Sequence, residues 1–264
     1  MTAARRVIGW IGVVAVVAGA CASLPTDAQA AAGRRPHRVG SATAGGIGSP
    51  SVGRGASAVA KPPITWKRIP FGSRRKRQMA AYSKRHYGTA TWRLTDPAVV
   101  VEHFTGGTSF SAAWNTFASD AQHLGEYPGT CAHFIIDTDG TIYQLVPLWI
   151  RCRHAMGMNW TSFGIEHVGT SDASVMGNSA EIASSYALTL WLVQRFHLQV
   201  RNVIGHAESL ISPYHVEHVA ADRCQTHSDF SHADMRTYRT HLRALARKNH
   251  VPIGPPPAWV ASGC

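Results

Sequence analysis

The segment His133-Phe134-Ile135-Ile136-Asp137-Thr138-Asp139-Gly140-Thr141-Ile142-Tyr143-Gln144-Leu145 restricts the fold of this chain more than any other. Asp139-Gly140 supplies the positive backbone dihedrals that a tight turn requires, so the apolar runs on either side are expected to pair as an antiparallel hairpin. A hairpin alone is marginal in water and needs further strands or a helix to cover it. The chain offers both. Asp96-Pro97 is punctuation, after which Val99-Val100-Val101 reads as a buried strand with His103 at its end. Ser109 to about Ala121 reads as an amphipathic helix through Phe110, Ala113, Trp114 and Phe117. Phe163 to Val168 is another strand.

Further along, Ser179 is expected to cap a helix running to about His197, with Ala183, Tyr186, Ala187, Leu190 and Trp191 facing inward. Val200 to Ile204 is a short strand ending at Gly205-His206. A last helix spans about Ala233 to Arg247, carried by Met235, Tyr238, Leu242 and Leu245. Before all of these, Gln78 to Tyr82 suits a short helix that Gly88 stops. Helices and strands alternate around one hairpin, which predicts an α/β domain with a single mixed central sheet flanked by helices. No internal repeat is present.

The N-terminal quarter differs in composition. Arg5 and Arg6 precede an apolar run from Val7 to about Ala20, and Ala28-Gln29-Ala30 offers small residues where a signal peptidase reads. Residues 1–30 are therefore expected to be a signal peptide, making the protein secreted or resident in the cell envelope. Ala18-Gly19-Ala20-Cys21 is a competing lipoprotein box, in which Cys21 would carry the anchor. Residues 31–66, mostly Gly, Ser, Ala, Pro and Arg, are expected to form a disordered basic linker. The folded domain is assigned to 67–248 and a C-terminal tail to 249–264.

The formal charge of +11, from 26 Lys plus Arg against 15 Asp plus Glu, favours an anionic partner. Nucleic acid, membrane surfaces and anionic cell-wall polymers all qualify, but no RNA-binding signature, two-His two-Cys finger or basic heptad region accompanies the charge, which disfavours nucleic acid. A monomer is expected. Without Cys21, the four cysteines Cys131, Cys152, Cys224 and Cys264 form an even set for an oxidising compartment, with three pairings open.

Fifteen histidines need sorting. His37, His86, His123 and His250 lie in polar or basic surroundings and read as solvated surface residues. His103 and His206 each follow an apolar strand, and His227 lies in the polar loop Gln225-Thr226-His227-Ser228-Asp229-Phe230. A catalytic zinc site needs three protein ligands and an open position, which three such histidines would meet. Each also has a bland reading, as a hydrogen-bonded core histidine for the first two and as a surface loop residue for the third.

Five motifs occur in order: Val100-Val101-Glu102-His103-Phe104-Thr105, Ala132-His133-Phe134-Ile135-Ile136-Asp137-Thr138-Asp139-Gly140-Thr141-Ile142, Arg153-His154-Ala155, Gly164-Ile165-Glu166-His167-Val168-Gly169 and Ile204-Gly205-His206. Together they resemble the type 2 N-acetylmuramoyl-L-alanine amidases, which share their fold with peptidoglycan recognition proteins. The resemblance covers roughly Val99 to Leu245. It implies the amidase type 2 fold, a Zn2+ cofactor, and hydrolysis of the amide between N-acetylmuramic acid and L-alanine in peptidoglycan. It also implies zinc ligation by His103 and His206, with His227 third because it follows Thr226 in the next loop. Glu166 becomes the general base toward zinc-bound water.

His154 is a candidate for hydrogen bonding the substrate or the developing oxyanion, and Asn159 a candidate for holding the stem peptide of the muramoyl peptide. Cys224 is the rival third ligand. Against it, Cys224 has a competing use as a disulfide half: Cys131 with Cys152 is the first pair expected, which leaves Cys224 for Cys264, although sequence alone does not fix the connectivity. The pattern departs from relatives that carry tyrosine where Ala132 stands and lysine where Gln225 stands, so any roles of those groups are absent or reassigned here. Two other classes remain. One is a non-catalytic peptidoglycan recognition module. The other is a zinc endopeptidase, which the lack of a His-Glu-x-x-His motif disfavours.

Overall fold

A computed structural model of the chain describes residues 58–264, which lie within one compact unit. The expected signal peptide, the lipoprotein box at Cys21 and the linker up to residue 57 lie outside the described residues. These residues form a six-stranded sheet in the order β1-β4-β3-β5-β2-β6, where β1 is Thr65–Trp66, β2 Val99–Phe104, β3 Phe134–Ile136, β4 Ile142–Gln144, β5 Ser162–His167 and β6 Val203–Gly205. Only the β3–β4 pair is antiparallel. It is the hairpin predicted at Asp139-Gly140, where Gly140 has a φ of 84°. The sheet thus takes in Thr65 and Trp66, inside the stretch assigned to the linker, and Val59 and Ile64 pack on the main core.

Five helices cover the sheet: α1 (Ser73–Tyr87), α2 (Phe110–Ser119), α3 (Asp172–Met176), α4 (Ser179–Arg195) and α5 (His232–Lys248). The first is longer than its apolar core suggests and ends at Gly88, whose left-handed backbone donates its N–H to the Lys84 carbonyl. Ser109 caps α2 by accepting from the Ala112 N–H. On α4 the cap is Asn178, not Ser179. Its side chain accepts from both the Ala180 and Glu181 N–H groups, a geometry that needs the capping residue one place earlier.

The buried face of α4 is also rotated from the expected stripe. Ala183 and Ala187 are exposed, whereas Ser185, Leu188, Thr189 and Leu192 are buried. Apolar periodicity missed this because the inward Ser185 and Thr189 are satisfied by a buried polar network. Ser185 Oγ meets His167 Nε2 and the Tyr238 hydroxyl, while Thr189 and Tyr238 both donate to Glu102 Oε1. His86, expected at the surface, is fully buried between Glu217 and Glu126. Two carboxylates replace the water that a surface position would have supplied.

The disulfides are Cys131–Cys152 and Cys224–Cys264. The second ties residue 264 back to the body, so 249–264 lies along α5 as an arm rather than projecting from it. Val251 is buried, and the Val260 N–H donates to the Ile211 carbonyl.

Candidate active site

Parallel pairing of β2 with β5 and β6 brings the carboxyl ends of these three strands together. His103 on β2 lies directly across from Glu166 on β5, and Glu102 lies across from Gly205, immediately before His206. Ligands gather at such carboxyl ends in sheets of this kind because loops leave the rigid ladder there. A cavity of about 210 Å3 opens at this place, lined by His103, His154, Glu166, His206, His227 and Asp229 among others.

The loop 224–231 supplies the fourth wall. The Ala207 N–H donates to the Asp229 carbonyl, and the Asp172 carboxylate accepts from the Phe230 and Ser231 N–H groups. These bonds carry the Asp229 side chain inward. One carboxylate oxygen lies 3.0 Å from His103 Nδ1 and the other 3.3 Å from His206 Nδ1. Donor atoms of His103, His206 and Asp229 all lie within 4.8 Å of one another, and all three residues are buried. A tetrahedral zinc with bonds of about 2.0–2.1 Å places neighbouring donors about 3.3 Å apart, so the spacing of these three groups fits that ion.

Hydrogen-bond roles point the same way. His154 Nε2 faces the Ser162 carbonyl at 3.4 Å, which can only accept, so Nε2 is assigned as the protonated nitrogen and Nδ1 as the acceptor. His154 Nδ1 then takes the Nε2–H of His103 at 3.1 Å. Burial holds His103 neutral, its pKa pushed down to about 4 even with Asp229 beside it. A neutral ring donating from Nε2 turns a lone pair at Nδ1 toward the carboxylate, an arrangement that a cation reconciles. In the alternative tautomer, with protons on the ring nitrogens that face Asp229, hydrogen bonds from His103 and His206 outweigh the burial that opposes its ionisation and hold the carboxyl well below the usual range. The buried His206 Nε2 has no hydrogen-bond partner among the described residues.

Each predicted site residue has a definite place here. His103, His206 and Glu166 line the same cavity. His227 is exposed and its ring stacks on His206 at 4.8 Å between centroids, at the cavity edge rather than within the donor cluster. Asp229, two residues further, joins His103 and His206 in the donor cluster, and the buried Phe230 follows it in the loop. The only sequence sign of this was a carboxylate just before an aromatic in a polar loop. Cys224 is bonded to Cys264 and has no thiolate to offer a metal.

His154 lines the cavity and also braces His103. Asn159 does not reach the cavity. It is fully buried, its Oδ1 accepts from the His154 and Ala155 N–H groups, and its Nδ2 donates to the Tyr82 and Tyr87 hydroxyls. Its amide is spent on shaping the loop that carries His154. His123, expected to be bland, stands at the cavity wall.

Glu166 is 8% exposed, and burial together with the charge of Asp229 pushes its pKa up to about 8. Gly164, two residues earlier on β5, is required for the site: a β-carbon there would lie 2.6 Å from the His154 ring.

Residues 93–215 match the family model for N-acetylmuramoyl-L-alanine amidase. Over that segment the chain is similar to that amidase family, which is one of enzymes. The match includes the segments bearing His103, His154, Glu166 and His206 and stops before the loop of His227 and Asp229. No curated protein matches the chain. Solved structures similar to it include the N-acetylmuramoyl-L-alanine amidase LysC from Clostridium intestinale URNW, at 18% identity over 69% of this chain and 98% of that one, with a TM-score of 0.44. Another is the E. coli amidase AmiD in complex with the substrate anhydro-N-acetylmuramic acid-L-Ala-D-gamma-Glu-L-Lys, at 22% identity over 42% and 49% of the two chains, with a TM-score of 0.34. The Drosophila peptidoglycan recognition protein SA is similar at 22% identity over 43% and 69%, with a TM-score of 0.35.

Proposed function

We propose that this chain hydrolyses the amide between the lactyl group of N-acetylmuramic acid and the L-alanine of the stem peptide, using zinc held by His103, His206 and Asp229. The observation that carries the proposal is the clustering of two imidazoles and a carboxylate beside Glu166 at the carboxyl ends of β2, β5 and β6. Zinc in this donor set supplies Lewis acidity to the scissile carbonyl and to a water.

The chain's own residues do the rest. Glu166, buried and with a raised pKa, takes the proton from the attacking water at its carboxylate and delivers it to the departing alanine nitrogen. Asp229 remains ionised and supplies negative charge to the ligand set. His154 fixes the His103 ring through the Nε2–Nδ1 bond, so that its other nitrogen stays oriented. Its ring also borders the cavity, where it would pack against the bound substrate. His227, exposed beside His206, is placed to touch the substrate rather than the metal.

Action at the cell wall, outside the membrane, follows from the export expected of residues 1–30 and from the two disulfides, which persist in oxidising compartments. The test is incubation of the purified protein with a soluble muramoyl peptide, with and without chelator, followed by identification of new termini. Release of a free L-alanine amino terminus that chelator abolishes and zinc restores is the expected result. Tight binding with no cleavage under any metal would leave a recognition module, and cleavage elsewhere in the peptide would leave an endopeptidase.

A further inference from the structure

On the surface formed by α5, an unpaired row of cations faces a fixed wall. Arg236, Thr240, Arg243 and Arg247 follow one another at intervals of four, three and four residues, which sets them on one face of the helix. Opposite runs the C-terminal arm, with Gly254, Pro256, Pro257 and Trp259 along the groove. The enclosed space is about 490 Å3.

The arm is held in several ways. Val251 is buried, the Val260 N–H bonds the Ile211 carbonyl, the Trp259 ring lies against the Arg239 guanidinium at 5.2 Å and the His232 ring at 5.6 Å, and Cys264 is bonded to Cys224. Proline adds stiffness to that wall. A groove with such walls is present before any ligand arrives, which lowers the ordering cost of binding.

Its charge is uncompensated. Arg239 is paired with the buried Glu208, whereas no acidic side chain among the described residues pairs with Arg236, Arg243 or Arg247. Partial burial, with Arg239 and Arg247 close by, pulls the Arg243 pKa below its ordinary value. Guanidinium groups stay protonated in proteins, so the like charges persist and an anion relieves them. Along a helix, Arg236 to Arg243 spans about 10 Å and Arg243 to Arg247 about 6 Å. Several anionic groups on one flexible polymer could meet such a row. Arginine forks match the tetrahedral oxygens of phosphate, each contact supplying a charge-assisted bond.

We propose that this groove is a second binding site, separate from the catalytic cavity, for a phosphodiester-linked anionic polymer of the cell wall. Choosing a wall polymer over another polyanion rests on the amidase reading given above and on the disulfides, which set the protein in an oxidising space. Held there, the enzyme would stay close to the glycan while its active site turns over.

The test uses the full chain and purified poly(glycerol phosphate), with duplex DNA, hyaluronate and inorganic phosphate as comparison ligands. The double variant Arg243→Glu with Arg247→Glu is expected to bind poly(glycerol phosphate) at least about ten-fold more weakly at low salt, each lost charged contact being of that order. Its hydrolysis of a soluble muramoyl peptide should match the parent. In the unaltered protein, the polymer should also protect Arg236, Arg243 and Arg247 from phenylglyoxal, read by peptide mass, a result that does not depend on the variant folding.

Unchanged polymer affinity in a folded variant, or no protection of these arginines, would overturn the proposal. Tighter binding of duplex DNA would overturn the wall assignment, and equal binding of hyaluronate would overturn the preference for phosphate. If the parent binds polymer through these arginines yet cleaves no muramoyl peptide, the amidase reading fails and the groove stands.

Discussion

Gly205, at the end of β6, lies so close to Phe230 that a β-carbon on it would stand 1.8 Å from the Phe230 carbonyl oxygen. This approach lets the strand that delivers His206 abut the loop that delivers Asp229. Gly205→Ala must push backbone from backbone, since no flexible side-chain end is available to give way. We expect a stability loss of about 1–3 kcal/mol, the usual range for overpacking, together with zinc content well below that of the parent. A variant with full metal content and an unchanged melting temperature would show that the loop is free to move and that Asp229 is not positioned by this contact.

The assignment of the third metal ligand separates two residues of one loop. Asp229→Ala should leave far less than one equivalent of zinc, because it removes a buried donor 3.0 and 3.3 Å from the two imidazoles. His227→Ala should retain most of the metal and show its effect chiefly on KM, as suits an exposed ring at the cavity edge. Metal analysis after dialysis decides between them. Retention by Asp229→Ala with loss by His227→Ala would return the ligand role to the histidine.

His133 should make the domain sensitive to mild acid. Its Nε2 donates to the Ile150 carbonyl at 2.9 Å and its Nδ1 accepts from the Gly164 N–H at 3.0 Å, so the fold holds the neutral ring, and burial pulls its pKa down to about 4. Unfolded, it titrates near 6.5. The folded pKa being the lower, this contribution is fully present above pH 6.5 and declines as pH falls toward 4, at up to about 1.4 kcal/mol per unit. His167, with a similar buried setting, adds to the same slope. His133→Gln keeps a donor and an acceptor without the titration. Urea midpoints of metal-free protein at pH 7 and pH 5 should differ less for the variant than for the parent, and equal differences would remove His133 as a source.

Much of the architecture was legible because it depends on local signals: the Asp139-Gly140 turn, the apolar run at Val99-Val100-Val101, and the helical spacing of Phe110, Ala113 and Phe117. What escaped was set by tertiary pairing. Ser185 and Thr189 face inward because Tyr238 and Glu102 meet them there, and apolar periodicity does not register such pairs. His86 is buried because two distant carboxylates converge on it. At the site, motif order placed His103, Glu166 and His206. Asp229 gave no comparable signal, since its direction depends on a bond from the Ala207 N–H and on the Phe230 N–H donating to Asp172, both partners far from it in sequence. Asn159 looked available in a polar loop, yet four hydrogen bonds hold it beneath His154.

Glu166 offers the sharpest separation of enzyme from binder. The β2–β5 register sets it opposite His103, at the cavity wall, and its raised pKa suits a group that must accept a proton near neutrality and then release it. A cation beside it would favour the ionised form, the state a base requires. Glu166→Gln preserves size and removes basicity, so zinc content and KM should change little while kcat falls about 100-fold to 10,000-fold. A parent without amidase activity would have no rate for the substitution to lower. If the variant, measured on a soluble muramoyl peptide with its zinc verified, keeps kcat within a few-fold of the parent, then Glu166 is not the base. His154, the other titratable group that both borders the cavity and touches His103, becomes the residue to replace next.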